Sequence, residues 1–334
     1  MSTTYVRETR NPAQLGLDAL ESMTTRRLAT LAVCGTRAGL GFVALMLLMT
    51  HYRQRSYMWG PDGVWPWSSF TAQLSESGTF SLFAFSRSEV WFEIVFHAAV
   101  LVSAAVMVGF GGRGMLLVHW VILWSFGQRN PMLLDGGDNL AHIVVLMLLL
   151  TNCFDRLRLF PPLFALTKVR DHWLSVLLHN IGVLAIGAQI CLVYVVSGLY
   201  KVQGEMWQGG TALYYILRVP EFMWPGVSEH IFTNAVLVTV MSYTATLMLV
   251  MFPVMILVDW LRGPATVVMV LFHLSIALLM GLTGFALTMI ACDLIFLDQW
   301  MKRARMPQLS RRGASRTDAR PARPVVEPVA RETS

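Results

Sequence analysis

Long apolar runs separated by short polar loops set the pattern of this chain. Three stretches of 28 residues, Trp173–Tyr200, Ile231–Val258 and Ala265–Cys292, contain no Asp, Glu, Lys or Arg. About 20 apolar residues suffice to cross a bilayer as a helix, so each can span. Leu28–Thr50 is of the same kind except for Arg37, and Val90–Phe110 except for Glu93. Met115–Gly127 and Asn139–Phe154 flank a polar loop and are short for a hydrocarbon core about 30 Å thick at about 1.5 Å per residue. Reading Ala265–Leu297 as two helices that turn at Gly281-Leu-Thr-Gly284 brings the total to eight. The pattern therefore predicts an all-α fold, a polytopic transmembrane helical bundle of about eight spans. Short interfacial helices are expected at Pro12–Thr25 and Thr211–Arg218.

Composition agrees, with 55% hydrophobic and 14% charged residues and a mean hydropathy of +0.55. Arg7, Arg10, Arg26 and Arg27 precede a first apolar run too long for a signal peptide, so no cleavable signal is expected. The Lys/Arg bias sets orientation. With the N-terminus inside, Arg113, the Arg156–Arg170 loop and Arg262 are cytoplasmic, and an even span count keeps Lys302, Arg303 and Arg305 there too. The expectation is a multi-pass plasma-membrane protein with both termini cytoplasmic. Residues 302–334 carry nine Lys/Arg and three Asp/Glu, so the tail alone accounts for the whole net charge of +6. The basic balance thus reflects a disordered tail resting on anionic lipid, not nucleic-acid binding. Cys34, Cys153, Cys191 and Cys292 fall in separate apolar segments without metal or redox spacing, which reads as packing.

Charged side chains at bilayer depth cost at least about 2.5 kcal/mol, so those retained usually face a partner or a cavity. The predicted topology sorts them into two layers. Arg37, His119, His179 and Asp293 fall in the inner half; Glu93, His97, Arg129, Asn130, Asp135, Asp138, Asn139, His142, Lys201, Glu205 and His230 lie toward the outer face. The short third and fourth spans imply that the loop from Gln128 to Asn139 dips toward membrane depth. Irregular backbone there is tolerated only inside protein or along a wet cavity. An outward-facing polar pocket is expected, with this loop as one wall and the segment around Lys201 and Trp207 as another. A lysine partly desolvated at that depth suits a general base or amine nucleophile; it also suits an interfacial anchor that snorkels. Glu93 and His97, four residues apart, read as a proton relay or as an internal hydrogen-bonded pair, and two ligands are too few to assign a metal. Arg37 reads as an anion site or as the partner of Asp293. His119, His142, His179 and His273 read as haem ligands between helices or as interhelical hydrogen-bonding groups.

Several of these segments carry a resemblance. Thr36-Arg-Ala-Gly-Leu-Gly41, the loop Arg129-Asn130 to Asp135-Gly-Gly-Asp-Asn139, and Phe272-His273-Leu followed by Gly281-Leu-Thr-Gly-Phe285 resemble the HTTM (horizontally transferred transmembrane) domain. The most specific match is Ser197-Gly-Leu-Tyr-Lys201, then Trp207, then Gly210-Thr-Ala-Leu-Tyr-Tyr215. This is the membrane fold of vitamin K-dependent gamma-carboxylases and their bacterial relatives. The resemblance covers about residues 25 to 300. It implies an HTTM-like transmembrane domain over 28–300, preceded by a cytoplasmic segment 1–27 and followed by the basic tail 301–334. It further implies a base at Lys201 and a reduced quinone such as vitamin K hydroquinone as cofactor. In the carboxylases the polar loop supplies a catalytic histidine; here it reads Asp138–Asn139, with His142 next in line. Other bacterial members are maturation factors for secreted peptide toxins of the sporulation-delaying type.

The leading reading is a membrane enzyme or peptide-maturation factor that meets an exported peptide or protein substrate. Its catalytic candidates are Lys201, His142 and Glu93; its pocket candidates are Arg129, Asn130, Asp138, Asn139, His97 and Trp207. The alternatives are a transporter or lipid-binding membrane protein without catalysis, and a quinone- or haem-linked redox protein.

Overall fold

The computed structural model describes residues 21–159 and 172–297. Within them the long helices are α1 (Thr30–Thr50), α2 (Glu89–Val108), α3 (Gly112–Arg129), α4 (Gly136–Leu148), α5 (Trp173–Gln203), α6 (Ala235–Leu257), α7 (Asp259–Met280) and α8 (Thr283–Leu297). No strand occurs among the described residues. By length and composition α1, α2, α5, α6 and α7 can cross a membrane, while α4 and α8 are shorter apolar helices. The chain is an all-α bundle. The expected basic tail and most of the Pro12–Thr25 helix lie outside the described residues, although Glu21–Thr25 is helical.

Local chemistry explains where the helices stop. Gly109 and Gly111, at φ 80° and 81°, make the tight turn between α2 and α3. Gly281, at φ 71°, ends α7 and admits the turn into α8 that the Gly-Leu-Thr-Gly run predicted. Asp135 caps α4: its Oδ1 accepts from Gly137 N at 2.7 Å and Asp138 N at 3.0 Å, and Asp138 accepts in return from Asp135 N at 3.1 Å.

Packing is antiparallel and largely between chain neighbours, with α8 pressed into the middle. Thr36 on α1 donates to the Ala291 carbonyl of α8 at 2.8 Å. The main core joins Val33, Leu40, Leu148, Ile186, Ile190, Phe252, Met269 and Met289. A second, aromatic core lies under residues 51–88, which join α1 to α2. Trp59, Phe70, Leu74 and Phe83 pack there on Phe92, Phe96 and Phe126. Short helices at Arg55–Trp59 and Trp67–Ser77 carry those side chains, so the loop is a folded cap.

Among the boundaries that differ from the sequence expectation, one bears on the packing. Asn139–Phe154 is not one helix, because α4 ends at Leu148 and 149–159 runs as successive turns. Buried Arg37 draws that backbone inward. Its guanidinium donates to the carbonyls of Cys153, Val106 and Leu157, and His179 Nδ1 accepts from Asn152 N at 3.0 Å. Irregular backbone inside the bundle is thus satisfied by side chains, at the end opposite to the loop the short-span argument singled out.

Candidate functional site

Lys201 sits in the last turn of α5, where the helix is about to break at Gly204. Its Nζ lies 3.3 Å from Ser197 Oγ, one turn back, and 4.9 Å from the centre of the Trp207 ring. Trp207 comes from the short helix Glu205–Gln208. Gly210, at φ 68°, then reverses the chain into the helix Ala212–Ile216, near the surface helix expected at Thr211–Arg218. No carboxylate pairs with Lys201 among the described residues.

Lys201 lines a cavity of about 250 Å³ formed by α5, α6, α7, α8 and the short helices Glu205–Gln208 and Ala212–Ile216. The walls are mostly apolar: Leu213, Leu249, Phe272, Met280, Phe285 and Met289 among others. Polar side chains enter from α5 and α7, as Tyr194, Ser197, Lys201 and His273, and the Trp207 indole joins them from the Glu205–Gln208 helix. Tyr194, Ser197 and Lys201 are spaced three and four apart, so they share one helix face. Behind the floor lies Asp293 of α8, fully buried, with the Tyr194 hydroxyl 2.7 and 2.9 Å from its two oxygens and His273 Nδ1 at 3.6 Å. The Tyr194 and His273 rings stack at 5.7 Å.

A lateral groove between α6 and α7, of about 360 Å³, shares Leu213, Ala245, Phe272, Ile276 and Met280 with this cavity. Its outer residues Val240 and Leu271 are exposed on the bundle surface. The arrangement can seat an apolar body with the Lys201 nitrogen against it, beside a groove on the surface of the bundle.

The remaining candidates go elsewhere. Arg129 is buried and donates to the carbonyls of Trp65, at 2.9 Å, and Gly60; Asn130 donates to Met58 O at 2.8 Å. Both clamp the aromatic cap. Asp138 serves the α4 capping box, and Asn139 is exposed beside it. His142 lies against Trp124, and its carbonyl accepts from Trp120 Nε1 at 3.1 Å. Glu93 is held by Arg55, whose Nε is 3.0 Å from both carboxylate oxygens, and by His97 Nδ1 at 3.3 Å. The Arg55 pKa is raised, chiefly by its hydrogen bonding to Glu93. Tyr52 closes this cluster with its hydroxyl 3.0 Å from His97 Nε2.

The expected pocket wall is therefore corrected. Of the nine candidates, only Lys201 and Trp207 line the cavity. The polar loop reaches it indirectly, since Gly136 and Gly137 back onto Phe285. The suggested Arg37–Asp293 pair does not form either, because Arg37 is spent on backbone carbonyls and Asp293 on Tyr194 and His273. His179 uses both ring nitrogens, to Asn152 N and to Leu28 O at 2.7 Å, while His119 is buried with neither nitrogen bonded.

A bundle of apolar helices with buried cations satisfied internally defines an integral membrane protein. Over 232 residues, 64% of this chain and 67% of the relative, it is 23% identical to sporulation-delaying protein SdpB of Bacillus subtilis (strain 168). No protein-family model matches the chain. No solved structure matches it.

Proposed function

We propose that the chain is an HTTM-type, carboxylase-like protein of the plasma membrane, with both termini cytoplasmic. The Lys201 cavity is its functional site, opening toward the outer face. Lys201 acts there as a base on a membrane-borne substrate or cofactor, in the service of maturing an exported peptide. The observation that carries this reading is a lysine nitrogen with no carboxylate partner to hold it charged, lining a mostly apolar cavity, so that its neutral amine is available as a base. A simple interfacial anchor would point Lys201 toward water; this one leans back over Ser197 and Trp207. Two further points support it. Lys201 and Trp207 belong to the segment that most resembles the family. The similarity to SdpB, whose name carries the sporulation-delaying label, agrees with the peptide-maturation branch of that family.

Where a reduced quinone is the cofactor, its ring would rest among Phe272, Phe285 and Leu249, with an oxygen toward Lys201. The quinol would supply the reducing equivalents for oxygenation chemistry. This chain's part is to exclude water, orient the ring and take up a proton on Nζ. The test is binding and oxidation of reduced menaquinone or a vitamin K hydroquinone analogue by purified protein, wild type against Lys201→Ala. Saturable binding with oxidation abolished in the variant is the expected result. Absence of binding, where a control carboxylase binds, would remove the quinone reading.

The lateral groove favours one alternative, a lipid-binding or transport role without catalysis. In that case wild type and Lys201→Ala would both bind an amphiphile, and neither would turn it over.

A further inference from the structure

A base at the edge of the cavity leaves the polar groups at its floor unexplained. Asp293 is fully buried, and among the described residues the only cation-forming group within ion-pair distance is His273. His273 Nδ1 also lies 2.9 Å from the Met269 carbonyl. A carbonyl only accepts, so Nδ1 carries the proton. Nε2 is then the nitrogen left for the cavity, and it bears a lone pair while the ring is neutral. Asp293 is placed to stabilise the ring whenever Nε2 shares or takes a proton, as a buried carboxylate orients an imidazole in catalytic triads.

Position along α5 gives the spacing. Lys201 Nζ is drawn back to the level of Ser197, and His273 stacks on Tyr194. Those two residues are three apart, a rise of about 4.5 Å. The cavity thus offers two nitrogens, from the α5 wall and the α7 wall, that are also offset along the helix axis, with apolar side chains lining the space they share.

We propose that His273, oriented by Asp293 and Tyr194, is a second ligand-contacting residue of this cavity. It accepts a hydroxyl at the far end of a flat, apolar ligand whose other oxygen meets Lys201. The ligand class is an aromatic ring with oxygens at opposite ends. This deepens the proposed function and rests on the Lys201 cavity being the functional site.

The experiment uses full-length protein in lipid nanodiscs, under anaerobic conditions, with two tail-free probes. One is 1,4-naphthohydroquinone, with two oxygens; the other is 1-naphthol, with one. Wild type should prefer the hydroquinone by about tenfold, the size of one hydrogen bond. His273→Asn keeps an amide near the Nδ1 position but nothing at Nε2, so it should lose the preference while still binding 1-naphthol. His273→Gln places its amide near Nε2 and should restore it. A merely structural role would weaken both probes together. Equal binding of the probes by wild type overturns the proposal, as does a preference that survives in His273→Asn. Lys201→Met separates the two ideas. If it abolishes binding of both probes while the His273 variants leave the ratio unmoved, the Lys201 reading stands and this one falls. If it changes nothing while the ratio follows His273, the reverse holds.

Discussion

Three cations show how differently a charged residue can be used within one bundle. Arg37 is buried and satisfied by backbone carbonyls from two segments, with its guanidinium 5.0 Å from the Phe154 ring centre. Removing it leaves those acceptors unpaired, so Arg37→Met should lower stability by about 3 kcal/mol or more. Arg37→Lys should not rescue it, because an ammonium cannot reproduce the planar fork. Thermal unfolding in detergent reads both. Arg129 ties the cap by the carbonyls of Trp65 and Gly60. Arg129→Gln should therefore speed limited proteolysis within 51–88 and leave ligand binding at Lys201 unchanged. A loss of binding with the cap still protected would return Arg129 to the site. Lys201 alone of the three faces a cavity. Sequence depth marked all three as costly, but depth cannot tell a clamp from a catalyst. That distinction depends on which groups fill the coordination of each head, and those come from segments tens of residues away.

At the scale of elements, close helix contact is set by glycine. An added Cβ at Gly39 would meet the Ala291 Cβ of α8 at 2.5 Å, and one at Gly41 would meet Met107 N of α2 at 2.6 Å. Small residues let helix backbones approach where apolar burial gives little driving force. Gly41→Ala should force α1 from α2 and cost about 1–3 kcal/mol; an unchanged melting temperature would show that the helices relax freely. The capping box of α4 makes a smaller claim. Asp135→Ala should cost about 1 kcal/mol and shift Phe285, read as weaker binding of an apolar probe in the Lys201 cavity. The helices were legible because long uncharged runs have few other fates, and the Gly281 turn because glycine accepts positive φ. The end of α4 was not, since Leu149–Phe154 is as apolar as the helix before it. Arg37 and Arg113 hold that backbone in turns from outside the segment.

For the whole molecule, the proposed orientation gives a direct test. Ser75→Cys in the cap should react with a membrane-impermeant maleimide in intact cells, and Ser310→Cys only after permeabilisation. Of the native thiols Cys34, Cys153 and Cys292 are buried, and the half-buried Cys191 is replaced by Ser in both labelled variants. The opposite labelling pattern would invert the topology and turn the Lys201 cavity inward. From sequence alone came the membrane class, the all-α fold, the turn at Gly281, and the placing of Lys201 at the end of its helix. Each follows from local facts: apolar length, charge bias, a glycine, a lysine ending an uncharged run. Tertiary structure alone decided that Arg129 and Asn130 clamp the cap. It also decided that Asp293 faces His273 and Tyr194 instead of Arg37. Apolar patterning fixes how deep a side chain lies along its helix but hardly its azimuth once every face is hydrophobic, and azimuth decides which polar groups meet.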